Sequence, residues 1–179
     1  MSISVKNEWA DSRQRDRVIR RRLPLWEPEP PKSKILMDLY RYWESLRPTG
    51  LIPSRKEFDI LRLRSVMGTA SVIDVDHDDP CDFHLRIHGT SLRLPRDLSN
   101  QRLADLDYSE RYRETLMQDY VAARDTGVPL YHEVAAMIDY ITHCYARLIL
   151  PFAADGRSVN QLIVCSISQD FPDLAQLLH

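Results

Sequence analysis

Two strand-like segments within Thr69–His88 precede a helical stretch, Ser91–Ala123, and three further strands across Leu130–Ile167 close the chain. This order of elements constrains the fold most. Strands that follow one another through short turns pair as antiparallel neighbours, so the order predicts one antiparallel sheet with helices inserted after its second strand. Phe83-His84-Leu85-Arg86-Ile87-His88 alternates without error: Phe83, Leu85 and Ile87 share one face, while His84, Arg86 and His88 share the other. Thr69–Val75 reads as the strand before it, and His77-Asp78-Asp79-Pro80 as the turn between them. Leu130–Ile138 and Thr142–Leu150 are the next strands. A tight turn at Ala153-Ala154-Asp155-Gly156 leads into Val159–Ile167.

The helical stretch begins brokenly. Pro95 interrupts Ser91–Asp105, whose Leu92, Leu94, Leu98 and Leu103 are expected to point inward. Asp107 with Glu110 then opens the longest helix, Tyr108 to Arg124, with Tyr112, Leu116, Tyr120 and Ala123 as its buried side. Gly127 stops it.

Ahead of the sheet, Ser33 caps a helix carrying Leu36, Leu39, Tyr40, Trp43 and Leu46 on one face. Ile35 and Tyr42 make its apolar stripe wider than one contact needs. Homodimerisation through Ile35, Leu36, Leu39, Tyr42, Trp43 and Leu46 is therefore expected. Pro48-Thr49-Gly50 ends the helix, and Ser54 with Glu57 marks a second start leading to Phe58, Ile60 and Leu61. Residues 1–32 read as an appendage. Asp11 and Gln14 are spaced to cap a short basic helix reaching Leu23, and Pro24, Pro28, Pro30 and Pro31 give a stiff connector. The arm is expected to be mobile, or ordered only against a partner. The domain then spans 33–170, and 171–179 form a C-terminal tail.

Several runs, in order along the chain, resemble stand-alone bacterial PAS-like domains, a group known mainly as domains of unknown function. They are Leu39-Tyr40-Arg41-Tyr42-Trp43-Glu44-Ser45-Leu46-Arg47 with Ile52-Pro53-Ser54-Arg55, Phe83-His84-Leu85-Arg86-Ile87-His88-Gly89-Thr90, Asp97-Leu98-Ser99-Asn100, and Arg147-Leu148-Ile149-Leu150-Pro151-Phe152 with Asp155-Gly156. The resemblance covers Ile35 to Ile167. It implies an α+β fold: a PAS-like five-stranded antiparallel sheet with helices over one face, preceded by an N-terminal helix and a basic arm. It also implies a space between helices and sheet for a small molecule or cofactor, dimerisation through the N-terminal helix, and no catalysis. Asn100 stands where relatives tend to carry a threonine-glycine step.

Motifs that would nominate a reaction are missing. There is no G-x-S-x-G, H-E-x-x-H, P-loop or G-x-G-x-x-G. The acidic run Asp74, Asp76, Asp78, Asp79 fails as a calcium loop, because Asp79 and Leu85 occupy the positions of the glycine and the bidentate glutamate. His84 and His88 share a strand face, but Arg86 between them disfavours a metal; a haem ligand there would show as visible absorbance. His143 and Cys144 point to opposite sides of a strand and cannot form a nucleophile and its base. Cys81, Cys144 and Cys165 are three, so not all can pair, and none has C-x-x-C spacing. Cys144 and Cys165 read as small buried apolar groups.

Charge narrows the partners. A net charge of -2 gives no general attraction to nucleic acid or anionic lipid, and only Arg13–Arg22 is strongly basic. That run lacks interleaved aromatics for base stacking and reads first as a solvated arm. No apolar run approaches a membrane span, and the N-terminus has no export-signal core, so a cytoplasmic location is expected.

The expected function is a non-enzymatic sensory or regulatory domain that binds a small ligand or mediates protein association in signalling. The alternative is a nucleic-acid-associated protein acting through the arginine arm. Phe83, Leu85, Ile87, Leu148 and Leu150 of the strands, facing Leu116 and Tyr120 of the long helix, are the expected pocket. The cofactor is unassigned. A homodimer and a signalling partner are the expected associations.

Overall fold

The computed structural model describes residues 16–47, 49–62, 64–75, 79, 82–89, 98–138 and 140–179. Its frame is a seven-stranded, wholly antiparallel sheet, with the strands β1 (Arg17–Leu23), β2 (Ala70–Val75), β3 (Phe83–Ile87), β4 (Gln101–Arg102), β5 (Leu130–Ile138), β6 (Ile141–Phe152) and β7 (Gln161–Ser168). They lie side by side in the order β1-β5-β6-β7-β2-β3-β4. Among the described residues three α-helices accompany them: α1 (Lys34–Ser45), α2 (Glu110–Thr126) and α3 (Pro172–Gln176). None of the described helices is long and apolar enough to cross a membrane.

The five expected strands appear close to their expected bounds, and two more flank them. The larger departure is β1. Where a basic helix and a mobile arm were expected, Arg17–Leu23 pairs along its whole length with β5, from Arg17 opposite Met137 to Leu23 opposite Tyr131. The reason lies in what its side chains meet. Ile19 and Leu23 join the core on one face, and the arginines find acidic partners on both. A solvated helix offers neither. Arginines along a terminal strand also discourage further strand pairing at that edge.

Helices cover both faces, not one. On the first face, Leu36, Leu39 and Trp43 of α1 pack with Tyr131, Ala135, Ala146, Leu148, Leu150, Phe152, Ile163 and Cys165 of the sheet. On the second, Leu116, Tyr120 and Ala123 of α2 pack with Ile73, Phe83, Leu85, Leu130, Ile149, Leu162 and Val164. With both faces buried, a strand such as Leu148-Ile149-Leu150 is apolar throughout, so alternation alone cannot say which residue faces which helix. The expected tail is also part of the first core, since Phe171, Leu174 and Leu178 are buried there.

The width of the α1 stripe is largely accounted for inside the chain. Tyr42 packs on Phe58 at 5.2 Å between ring centroids, and its hydroxyl accepts the backbone N–H of Asp59 at 3.0 Å. Ile35 and Leu46 are half-buried against the same core. The expected second helix start is instead a series of single 3-10 turns, Arg55–Glu57, Ile60–Arg62 and Arg64–Val66. For α2 the cap is Ser109, not Asp107: its hydroxyl accepts from the Tyr112 N–H at 3.3 Å. Asn100 takes φ 61°, a left-handed conformation that asparagine tolerates better than most residues, so the missing glycine is replaced at small cost. Gly89 cannot be replaced so easily, because a Cβ there would lie 2.6 Å from the Gly68 carbonyl oxygen. Residues 91–97 of the Ser91–Asp105 reading, including Leu92, Leu94 and Pro95, lie outside the described residues, as do His77, Cys81 and most of the acidic turn; Leu98 and Leu103 are buried.

Candidate functional site

The expected pocket is divided by the sheet. Phe83, Leu85, Leu116 and Tyr120 do meet under α2, but closely: Phe83 sits edge-on to Tyr120 with centroids 5.4 Å apart. Leu148 and Leu150 lie on the other face, beneath α1. Ile87 is 51% exposed, beside the register shift at Val72/Ile73 that disturbs the β2–β3 pairing. The apolar half of the α2 face is core.

Its other half is polar. Strand register lines up Arg22 of β1, His132 of β5, Arg147 of β6 and Ser166 of β7 in one row across the sheet. The next row holds Arg20, Val134 and Tyr145. Directly paired residues share a face, so four strands present these groups to the underside of α2. From above comes Asp119, three residues beyond Leu116 and one before Tyr120, hence on the buried side of the helix.

Arg147 and His132 are each 2% exposed and Asp119 4%. Both carboxylate oxygens of Asp119 are engaged. Oδ2 accepts from Arg147 Nη2, and Oδ1 lies 3.2 Å from Arg20 Nε and 3.6 Å from His132 Nε2. Nearby, the Tyr112 and Tyr145 hydroxyls are 2.8 Å apart, and Tyr108 packs edge-on to Tyr112. Among the described residues, two buried side-chain polar atoms have no partner: Arg147 Nε and His132 Nδ1. Such orphans are uncommon in folded interiors and mark a place where water or a ligand supplies what the chain does not.

Electrostatics follow from this crowding. Burial, and then the neighbouring Arg147, Arg20 and Arg22, push the His132 imidazole down to about 2. It is therefore neutral, and its 3.6 Å approach to Asp119 is not an ion pair. Burial raises the Asp119 carboxyl, against the pull of Arg147 and Arg20. Burial works against the Arg147 charge, and the Asp119 carboxylate on its Nη2 keeps it. Burial likewise raises the Tyr120 and Tyr145 hydroxyls, leaving them protonated. The site can therefore offer charged and neutral hydrogen bonds; it contains no nucleophile paired with a base.

A pH dependence of stability follows. The unfolded imidazole takes a proton near pH 6.5 and the folded one only near about 2. Between those values the unfolded chain binds more protons, so the native state loses stability as pH falls below 6.5, at up to about 1.4 kcal/mol per pH unit. The raised Asp119 carboxyl gives the opposite slope at lower pH, so the window to measure runs from 6.5 to about 5.5. Urea unfolding of wild type and His132→Gln across that window should show the slope in the first and a flatter dependence in the second. Equal slopes would mean that His132 titrates normally.

The arginine strand is anchored on the other face too. Arg21 Nε donates to Glu133 Oε2 at 2.8 Å, its Nη1 reaches Asp173 of α3 at 2.7 Å, and Arg17 Nη1 donates to the Leu178 carbonyl at 2.8 Å. Arg17, Arg20 and Arg21 are thus engaged within the fold; Arg13 and Arg15 lie outside the described residues. Near α3, Thr142, Cys144, Asp170, Phe171, Pro172 and Ala175 line an open groove.

The other sequence candidates remain apart. His84 is half-buried on β3, and His88 is buried beyond its end, with its backbone N–H donating to Ser99 Oγ at 3.0 Å. Asp74 of the acidic run is taken by Arg86 Nε at 2.7 Å and Gln161 Nε2 at 2.6 Å. Among the described residues no group of three or more His, Cys, Asp or Glu is placed to hold a metal. Cys165 is buried, 3.1 Å from Thr69 Oγ1, with its thiol pushed up to about 11 by burial, so it is an unreactive core group. Cys144 is half-buried and packs against the same core. Asp119, His132 and Arg147 carried one signal in the sequence: ionisable residues interrupting segments that must be buried.

The family model of the PAS domain matches residues 31–165. No curated protein matches the chain. No solved structure matches it either.

Proposed function

Since this chain belongs to the PAS-domain family, whose members are in general sensory or regulatory and not catalytic, we propose that it is a signalling module that holds a small polar ligand between α2 and the sheet. The observation that supports this is the pair of orphaned atoms, Arg147 Nε and His132 Nδ1, on residues directly opposite each other under α2. A guanidinium N–H and an imidazole nitrogen unmet side by side call for an occupant that completes both bonds. Occupancy then acts on β1 and α2, which share Asp119, and passes outward by association with a partner protein in the cytoplasm. The nucleic-acid reading is weakened, because arginines expected to be solvated are paired within the fold.

Native mass spectrometry of freshly purified protein, with absorbance from the near ultraviolet to the visible, tests this reading. A guest mass that vanishes on denaturation supports it. Protein at its bare mass, with no chemical-shift change at α2 or β5 residues on adding metabolite mixtures, would sink it.

A further inference from the structure

The geometry points to the chemical class of the guest: a small oxyanion carrying a neighbouring hydroxyl, a short hydroxy acid being the simplest case. This rests on the ligand-binding reading above and makes it specific. Asp119 accepts from Arg147 Nη2 and not from Nε, which has no acceptor within hydrogen-bond distance. That N–H therefore requires an acceptor from outside the chain. His132 Nε2 faces the same Oδ1, and two acceptors do not face each other, so Nε2 carries the proton of the neutral ring. Nδ1 is then a bare lone pair, and requires a donor. The two needs are adjacent, since His132 and Arg147 are directly opposed across β5 and β6. A guest must accept at one atom and donate at the next, which a hydroxyl or a water does and a bare carboxylate does not.

Charge selects between those two. Arg147, Arg20 and Arg22 all act on the single carboxylate of Asp119, and the Tyr145 hydroxyl, raised by burial, stays protonated beside them. The row is electropositive as well as orphaned. An anionic group beside the hydroxyl meets that excess; a water leaves it standing.

Titration calorimetry of the full chain with glycolate, acetate and glycolamide, at constant ionic strength, separates the possibilities. Glycolate should bind about tenfold more tightly than acetate, which lacks the donor, or glycolamide, which lacks the charge. Arg20→Gln, at the half-exposed rim of the cluster, should weaken glycolate about fivefold or more with the circular dichroism spectrum unchanged. His132→Leu should remove the distinction between glycolate and acetate. Equal binding of all three probes overturns the inference. So does no saturation by glycolate at about 10 mM, which leaves a trapped water as the occupant. A neutral metabolite retained under α2 would overturn the hydroxy-acid class while leaving the ligand-binding reading intact. Bare protein with no response at α2 would remove both.

Discussion

Arg147→Leu is expected to cost about 3–5 kcal/mol of folding stability, more than its loss of contacts alone, because it strands Asp119 as a buried carboxylate. Arg20 remains at 3.2 Å, but it is half-exposed and offsets only part of that penalty. Asp119 then escapes by taking a proton, which its raised carboxyl already favours, so the variant should gain stability as the pH is lowered toward the carboxylate range. The double variant Asp119→Leu/Arg147→Leu removes both charges and should recover most of the loss, since an apolar pair of similar volume is often neutral or better than a buried ion pair. Urea denaturation of the single and double variants measures the coupling. A single-variant cost below about 1 kcal/mol would mean that Arg147 and Asp119 are not paired in the dark interior between α2 and β6.

That pair was legible only in retrospect, for a reason built into sequence patterns. Element order, the Phe83–Ile87 strand, the Gly127 stop and the Gly156 turn all depend on local chemistry, and each is where the residues place it. Face assignment depends on what lies above and below a strand. Leu148 and Leu150 look identical to Ile149 in a sheet buried on both sides, so the expected grouping put them with Phe83, Leu85, Leu116 and Tyr120 although they lie on the opposite face. The arginine run misled in the same way. Basic residues near a terminus are usually solvated, and nothing within residues 17–23 shows that Asp119, Glu133 and Asp173 wait for them about a hundred residues or more away in the chain. His132-Glu133 and Arg147 stand within the strands expected at Leu130–Ile138 and Thr142–Leu150, where their charge set them apart from their apolar neighbours. Ionisable residues in strands destined for the core are either paired or functional, and here they are both paired and incompletely satisfied.

Trp43→Ala should cost about 3–5 kcal/mol, and the form of that loss tells whether α1 is a core helix or a dimer helix. Trp43 is fully buried within one chain, packed among Leu36, Leu39 and the strand residues beneath them. Its indole N–H donates to the Pro151 carbonyl at 2.9 Å, fastening α1 to β6, and Arg47 lies over its ring at 5.8 Å. Trp43→Phe keeps much of the volume but removes the indole N–H from that carbonyl, so about 1–3 kcal/mol of the loss should remain. If these residues work only within the fold, both losses are independent of protein concentration, and light scattering reports the same mass for wild type and variants. If Ile35, Tyr42 and Leu46 instead meet a second copy while Leu36, Leu39 and Trp43 hold the sheet, unfolding shifts with concentration in wild type. Ile35→Ser would then abolish the shift without the large stability loss that Trp43→Ala brings. Concentration-independent unfolding together with a monomeric mass would confine the α1 stripe to its own sheet and leave any dimer to another surface.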